Sequence, residues 1–132
     1  MTDTYLVGRE KVREYAAAIG EQSPLCHDPE AAKRAGYADV VAPPMFAAVY
    51  SWPALAPVVL DPEVGIDFDR MVHGGQEFTW HEPVVAGDEI TTEAAFVEQA
   101  RRADLTVFTF TSRSVNQRGE LVCEGTWTNI VR

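Results

Sequence analysis

With 132 residues, 46% of them hydrophobic and 23% charged, the chain has the size and balance of one domain, residues 1–132, able to build its own core. Twenty acidic residues against eleven basic ones leave a net charge of -9, which repels phosphate backbones and excludes a nucleic-acid binder. No run of about 18 apolar residues offers a membrane span. The N-terminus lacks the basic-then-apolar order of a secretory signal, and Cys26 and Cys123 lack metal-ligand spacing, so a cytoplasmic protein with free thiols is expected.

Residues 9–19 predict an amphipathic helix. Val12, Tyr15, Ala16 and Ile19 recur at helical spacing, Arg9, Glu10, Lys11, Arg13 and Glu14 take the other faces, and Gly20 is the stop. A loop over 21–27 leads to Asp28, which caps a short helix opened by Pro29 and Glu30 and closed by Gly36. Residues 44–55 are apolar on every face, through Met45, Phe46, Ala47, Ala48, Val49, Tyr50, Trp52 and Leu55. A helix of that kind is expected to be buried all round, and it is too short to cross a bilayer. Pro53 and Pro57 end it or bend its last turn. Residues 58–70 read as a loop.

From Met71 the period becomes that of strands. Residues 76–81 place Phe78 and Trp80 on one face and Glu77, Thr79 and His81 on the other. Residues 85–88 form a turn, and strands follow over 89–100, 105–115 and 121–131, the last two joined by a hairpin loop at 116–119. Helices first and an antiparallel meander afterwards make an α+β domain. A long antiparallel sheet wrapped around one buried central helix is the hotdog arrangement, and dimerisation is the usual cover for its edge strands.

Two stretches hold more than fold. The first is Gly20-Glu21-Gln22-Ser23-Pro24-Leu25-Cys26-His27-Asp28-Pro29-Glu30-Ala31-Ala32. It resembles the hydratase signature of the MaoC-like, R-specific enoyl-CoA hydratase family, Gly-Asp-x-Asn-Pro-(Ile/Leu)-His-x-Asp-Pro-Glu-x-Ala. The second is Val72-His73-Gly74-Gly75-Gln76-Glu77-Phe78-Thr79-Trp80-His81-Glu82-Pro83, continuing to Gly87-Asp88. It is similar to the family's HG-x-Q-x-F-x-W/Y-x-x-P-(V/L)-x-x-G-D stretch. Residues 7–16 and 41–46 resemble the family's N-terminal dehydratase domain, a subfamily that includes one, non-catalytic, subunit of heterodimeric (3R)-hydroxyacyl-ACP dehydratases. The resemblance runs over nearly the whole chain. It implies a hotdog dimer acting on a 3-hydroxyacyl thioester carried by CoA or by the phosphopantetheine of an acyl carrier protein. The reaction is reversible loss of water to the trans-2-enoyl thioester. Proton transfer and oxyanion stabilisation suffice for it, so no metal and no redox cofactor is implied.

Three positions depart from that pattern. Glu21 stands where the family has its catalytic Asp, one methylene longer, and a displacement of about 1 Å can cost a hundredfold in rate. Cys26 stands where the family has its catalytic His, and a thiol has the wrong pKa and hydrogen-bonding pattern for a proton shuttle. His27 is next door and serves only if the loop is rebuilt. Pro44 falls on the Gly whose N–H faces the developing oxyanion, leaving Met45 as the nearest donor. Losing such a donor typically costs about a hundredfold to a thousandfold.

His73 and Gly74, where the backbone can come close, join Pro44 and Met45 as candidate substrate-binding residues; taken singly, Glu21 also reads as a solvated loop carboxylate and Cys26 as a small buried hydrophobe. Trp52, Trp80 and Trp127 read as core or interface anchors, and Arg101 with Arg102 as solvated charge or part of a carrier-protein patch. The leading expectation is a subunit with a degenerate dyad that pairs with a catalytic MaoC-like chain. The alternatives are a self-sufficient hydratase using Glu21 and His27, an acyl-thioester or small-ligand binding module with no enzyme partner, and a hotdog thioesterase. The last is disfavoured because residues 44–55 contain no carboxylate. The chain is expected to be a homodimer or a heterodimer with a catalytic MaoC-like subunit.

Overall fold

The computed structural model describes all residues, 1–132. Strand β1 (Thr2–Leu6) precedes helix α1 (Arg9–Ala18) and the short α2 (Pro29–Arg34). A 3-10 turn, Pro44–Phe46, runs into helix α3 (Ala47–Val59). Strands β2 (Met71–Trp80), β3 (Glu89–Arg102), β4 (Leu105–Val115) and β5 (Leu121–Val131) complete one antiparallel sheet in the order β1-β3-β4-β5-β2. No helix is long and apolar enough to span a membrane.

The sheet curls around α3, which packs on β1, β3 and β4. One core cluster gathers at the N-terminal half of α3, where Phe46 and Tyr50 meet Val7, Val12, Ile90 and Val122. A second sits under its C-terminal half, where Leu55 and Val59 meet Phe108, Phe110 and Trp127. Strict alternation along β4, with Phe108, Phe110, Ser112 and Ser114 buried, fixes which face the helix covers. The small residues beneath the helix are held by their own bonds: Thr92 to Ser114 at 2.7 Å, and Trp127 Nε1 donating to Ser112 Oγ at 2.9 Å.

Four expectations change. Strand β1 was not anticipated: it is a short edge strand with four of its five residues exposed, so it carries no apolar alternation. The strands are not a simple meander, because β2 crosses to the far edge and pairs with β5 while β3 pairs with β4 and β1. Helix α3 passes through both prolines to Val59. Pro53 and Pro57 are four residues apart and exposed, so the carbonyls they leave unbonded, those of Val49 and Pro53, lie on the flank nearest water. Finally, the helix is not buried all round. Met45 is 44% and Trp52 47% exposed, on a flank the chain's own sheet does not reach.

Candidate functional site

The loop after α1 is set by its helix end. Gly20, at φ 75°, closes a Schellman motif in which the N–H of Glu21 donates to Ala16 O at 2.8 Å and that of Gly20 to Ala17 O at 3.2 Å. Residues Pro24–Cys26 then form a 3-10 turn, with Ser23 Oγ accepting from the Leu25 N–H. Asp28 accepts from the Glu30 N–H and starts α2. The segment is therefore a coiled turn, and it sends Cys26 and His27 different ways.

Cys26 points inward and is 5% exposed. Burial pushes its thiol above the ordinary range, and the negative charge of Glu21 adds to the effect. His27 is half-buried, and its Nε2 lies 2.6 Å from the main-chain carbonyl of Glu21. A carbonyl can only accept, so Nε2 carries the proton and donates. The imidazole is thus engaged with the backbone of Glu21 rather than with its carboxylate. The site therefore holds a buried thiol beside a carboxylate, and a histidine whose Nε2 is tied to main chain. Glu21, Cys26 and His27 do not line the cavity formed by residues 41–44, Tyr50 and residues 80–84.

The start of α3 is strung between two other segments. Val41 N–H donates to Leu25 O and Ala42 N–H to Val84 O, each at 2.8 Å. Pro44 has no N–H, and the Phe46 N–H is taken by Pro43 O at 2.9 Å. The Met45 N–H has no acceptor within the chain. The same peptide unit is anchored at its other end, because Trp80 Nε1 donates to Pro44 O at 2.8 Å. Residues 41–44, Tyr50 and residues 80–84 enclose a mainly apolar cavity of about 290 Å³. At its floor Tyr50 is 3% exposed, and burial, reinforced by the neighbouring Cys123, pushes its phenol far above the ordinary value. It is a neutral hydroxyl across the physiological range. Nothing in the sequence singled out Tyr50 from the apolar run around it, and the Trp80–Pro44 contact joins residues 36 apart.

His73 and Gly74 lie elsewhere, at the opening of β2. His73 pairs with Asn129 and Trp80 with Cys123, which sets His73 roughly 20 Å from the cavity at the rise of a strand. A bulge falls between His73 and Gly75. A Cβ on Gly74 would stand 2.5 Å from Ile130 Cδ1, so close packing against β5 accounts for that glycine. No three His, Cys, Asp or Glu side chains converge on a metal-sized site.

Strand β2 is an edge with no partner on its outer side. Beside it an aromatic row runs from α3 to that edge. Trp52 stands 6.4 Å from Trp127, Trp127 5.6 Å from Phe78, and Phe78 5.7 Å from Trp80, centroid to centroid. Trp52 and Trp80, at the two ends, are each 47% exposed. An open strand edge flanked by half-exposed tryptophans is the composition of a protein interface.

Comparison with known proteins agrees with the fold. The family described as FAS1-like, dehydratase domain region, matches residues 1–125. A UPF0336 protein of Saccharopolyspora erythraea is 46% identical over 131 residues, covering 99% of this chain and 84% of that protein. Among solved structures, the C-terminally truncated HadBC (3R-hydroxyacyl-ACP dehydratase) complex of Mycobacterium tuberculosis superposes with a TM-score of 0.81 at 31% identity, covering 98% of this chain and 94% of that one. A MaoC-like dehydratase superposes with a TM-score of 0.82 at 34% identity, covering 99% of this chain and 40% of that one.

Proposed function

The chain belongs to the FAS1-like dehydratase-region family and has the hotdog fold of the MaoC-like dehydratases, and from that premise we propose that it is the non-catalytic member of a two-chain (3R)-3-hydroxyacyl-thioester dehydratase. The observation that carries the reading is the state of the loop at 20–28. The position of the family's histidine holds a buried, protonated Cys26, and the one nearby imidazole, His27, is bound to main chain. A partner bearing the intact Asp/His pair supplies the proton transfers. This chain supplies the second half of the dimer through β2 and the Trp52–Trp80 flank. It also supplies apolar wall for the acyl chain or the pantetheine arm, for which the cavity at residues 41–44 and 80–84 is the available space. The HadBC neighbour is itself a complex, which supports a paired assembly. The chemistry served is proton transfer with stabilisation of an enolate-like oxyanion, and it needs no metal or redox cofactor.

The test is hydration of enoyl-CoA substrates of several chain lengths, followed by loss of enoyl absorbance. The chain alone is expected to give no turnover. After co-purification with a MaoC-like chain carrying the intact dyad, turnover is expected, with a chain-length preference that the partner alone does not have. Trp52→Glu, which charges the flank, is expected to weaken pairing at least about tenfold. Turnover by the isolated chain that disappears in Glu21→Gln and His27→Ala would replace this reading with a self-sufficient hydratase.

A further inference from the structure

Strand β1 covers only the first part of the edge it lies on. Its register with β3 runs from Leu6 against Glu89 to Thr2 against Glu93. One residue further, Ala94 N–H donates to Met1 O at 2.8 Å and the Met1 amino group to Ala94 O at 3.0 Å. Residues 95–102 of β3 therefore pair with β4 on one side and with no strand on the other. Ala94 fixes which groups face that open side, because in an antiparallel strand every second residue turns its N–H and C=O the same way. The bulge between Phe96 and Glu98 adds one residue to the count. Beyond it the outward main-chain groups are those of Gln99 and Arg101.

The side chains follow the same count. Glu98 pairs with Thr109, Ala100 with Val107 and Arg102 with Leu105. Phe108 and Phe110 of β4 face the helix, so Glu98, Ala100 and Arg102 share the outer face. Glu98 and Arg102 are exposed and belong to none of the chain's ion pairs. They stand about 13 Å apart along the strand, too far to pair with each other. Arg101 is tied to its own turn, its Nε donating to Ala103 O at 3.2 Å, and Asp104 is the other charge of that turn. Bulges and charges are the usual guards of an open edge. Here the bulge lies towards one end and leaves residues 98–102 in unbroken register with β4, and the charges are of both signs.

We propose that residues 98–102 are a self-complementary edge, to which a second copy of this chain adds its own β3, antiparallel, about a two-fold axis at Ala100. In that register Gln99 of each copy lies opposite Arg101 of the other. These are the residues whose main-chain groups point outward, so each pair exchanges both of its hydrogen bonds. Glu98 of each copy lies opposite Arg102 of the other, on one face and in the closer, non-hydrogen-bonded kind of pair, which forms an ion pair on either side of the axis. Ala100 meets Ala100 at the axis, where a small side chain fits. Val97, 55% exposed, falls opposite Ala103 of the second copy. An axis at Gln99 would set Glu98 against Ala100, and one at Arg101 would set it against Asp104. An axis between residues would oppose side chains from different faces. Only the axis at Ala100 joins opposite charges. The surface is small and works against a net charge of -9 on each copy, which puts the association in the weak class. Strand β2 lies at the far edge, so this pairing is independent of the subunit role proposed above.

The test is sedimentation equilibrium of the whole chain up to about 500 µM, where the wild type is expected to dimerise with a Kd of about 10–500 µM. Glu98→Arg and Arg102→Glu each make both ion pairs repulsive, and each is expected to weaken association about tenfold or more. Glu98→Arg does so although it lowers the net negative charge. Glu98→Arg/Arg102→Glu exchanges the charges and is expected to return to within about threefold of wild type. The two single variants, mixed, are expected to pair with each other as tightly as wild type does with itself. Lys11→Glu, on α1, changes the net charge as much as Arg102→Glu and is expected to leave the Kd unchanged. A monomer throughout the range overturns the proposal, and so does a double variant no tighter than the single ones. Association insensitive to both single variants, as pairing through β2 would be, or an equal loss in Lys11→Glu, overturns it as well.

Discussion

Gly125 lies on the helix-facing side of β5, opposite Ser112 on β4 and Phe78 on β2. A Cβ there would stand 2.6 Å from Ser112 Oγ, 3.0 Å from Phe78 Cε1 and 3.0 Å from Trp127 Nε1. Ser112 Oγ is the acceptor for the Trp127 indole at 2.9 Å, so the atom that has to move is the one that satisfies a buried donor. Overpacking of this kind costs about 1–3 kcal/mol. An indole N–H left without its acceptor adds about 1–3 kcal/mol. Ala regains roughly 0.5–1 kcal/mol over Gly in a strand interior. Gly125→Ala is therefore expected to destabilise by about 1–5 kcal/mol, measured as a shift of the urea midpoint at unchanged m and fixed protein concentration. Adding Ser112→Ala removes the atom in closest contact and is expected to recover part of the loss, but not all, because Trp127 Nε1 stays unpaired. A Gly125→Ala variant within about 0.5 kcal/mol of wild type would refute the packing assigned to this face, and with it the rigid seat of the aromatic row that the proposed partner uses.

Two further predictions concern single groups. Cys26 and Cys123 are both buried, and burial raises both thiols. Iodoacetamide at neutral pH is expected to modify the native chain at least about a hundredfold more slowly than the urea-unfolded chain, and rapid native labelling of Cys26 would contradict the burial of its thiol. The Arg9 guanidinium, donating at 3.0 and 2.8 Å, holds the Asp39 carboxyl below the usual range, assisted by the Val40 N–H. A depressed folded-state value means stability that is present above the unfolded carboxylate pKa and lost as pH falls through the folded one. Asp39→Asn is thus expected to be less stable than wild type at pH 7, with the gap closing from about pH 5 towards pH 2; a gap independent of pH would refute the pairing.

How much was readable before folding differs from one element to the next. The amphipathic stripe of α1, the cap at Asp28 and the 116–119 hairpin are local, and each appears where spacing and turn chemistry place it. The departures at Glu21, Cys26 and Pro44 are also plain in the sequence, because each is a change of functional group and not of position. Strand β1 was not legible, since an edge strand with only Tyr5 packed on the core owes its existence to pairing with residues 89–93, some 87 positions from it. Likewise, prolines tolerated in α3 depend on which flank faces water, which no spacing rule states.

The sequence by itself determined the class of the fold and the side chains present at positions 21, 26 and 44, because patterning at periods of 3.6 and 2 and the identity of side chains are properties of neighbouring residues. Only the tertiary structure decided what the surviving groups touch. It turned His27 onto a carbonyl, anchored the Met45 peptide through Trp80, exposed one flank of a helix that reads as wholly buried, and left residues 95–102 of β3 without a strand on their outer side. The physical reason is that strand crossing and register join residues 30 to 60 positions apart, and a hydrogen bond or a charge cluster depends on distance in space, which short-range periodicity does not encode.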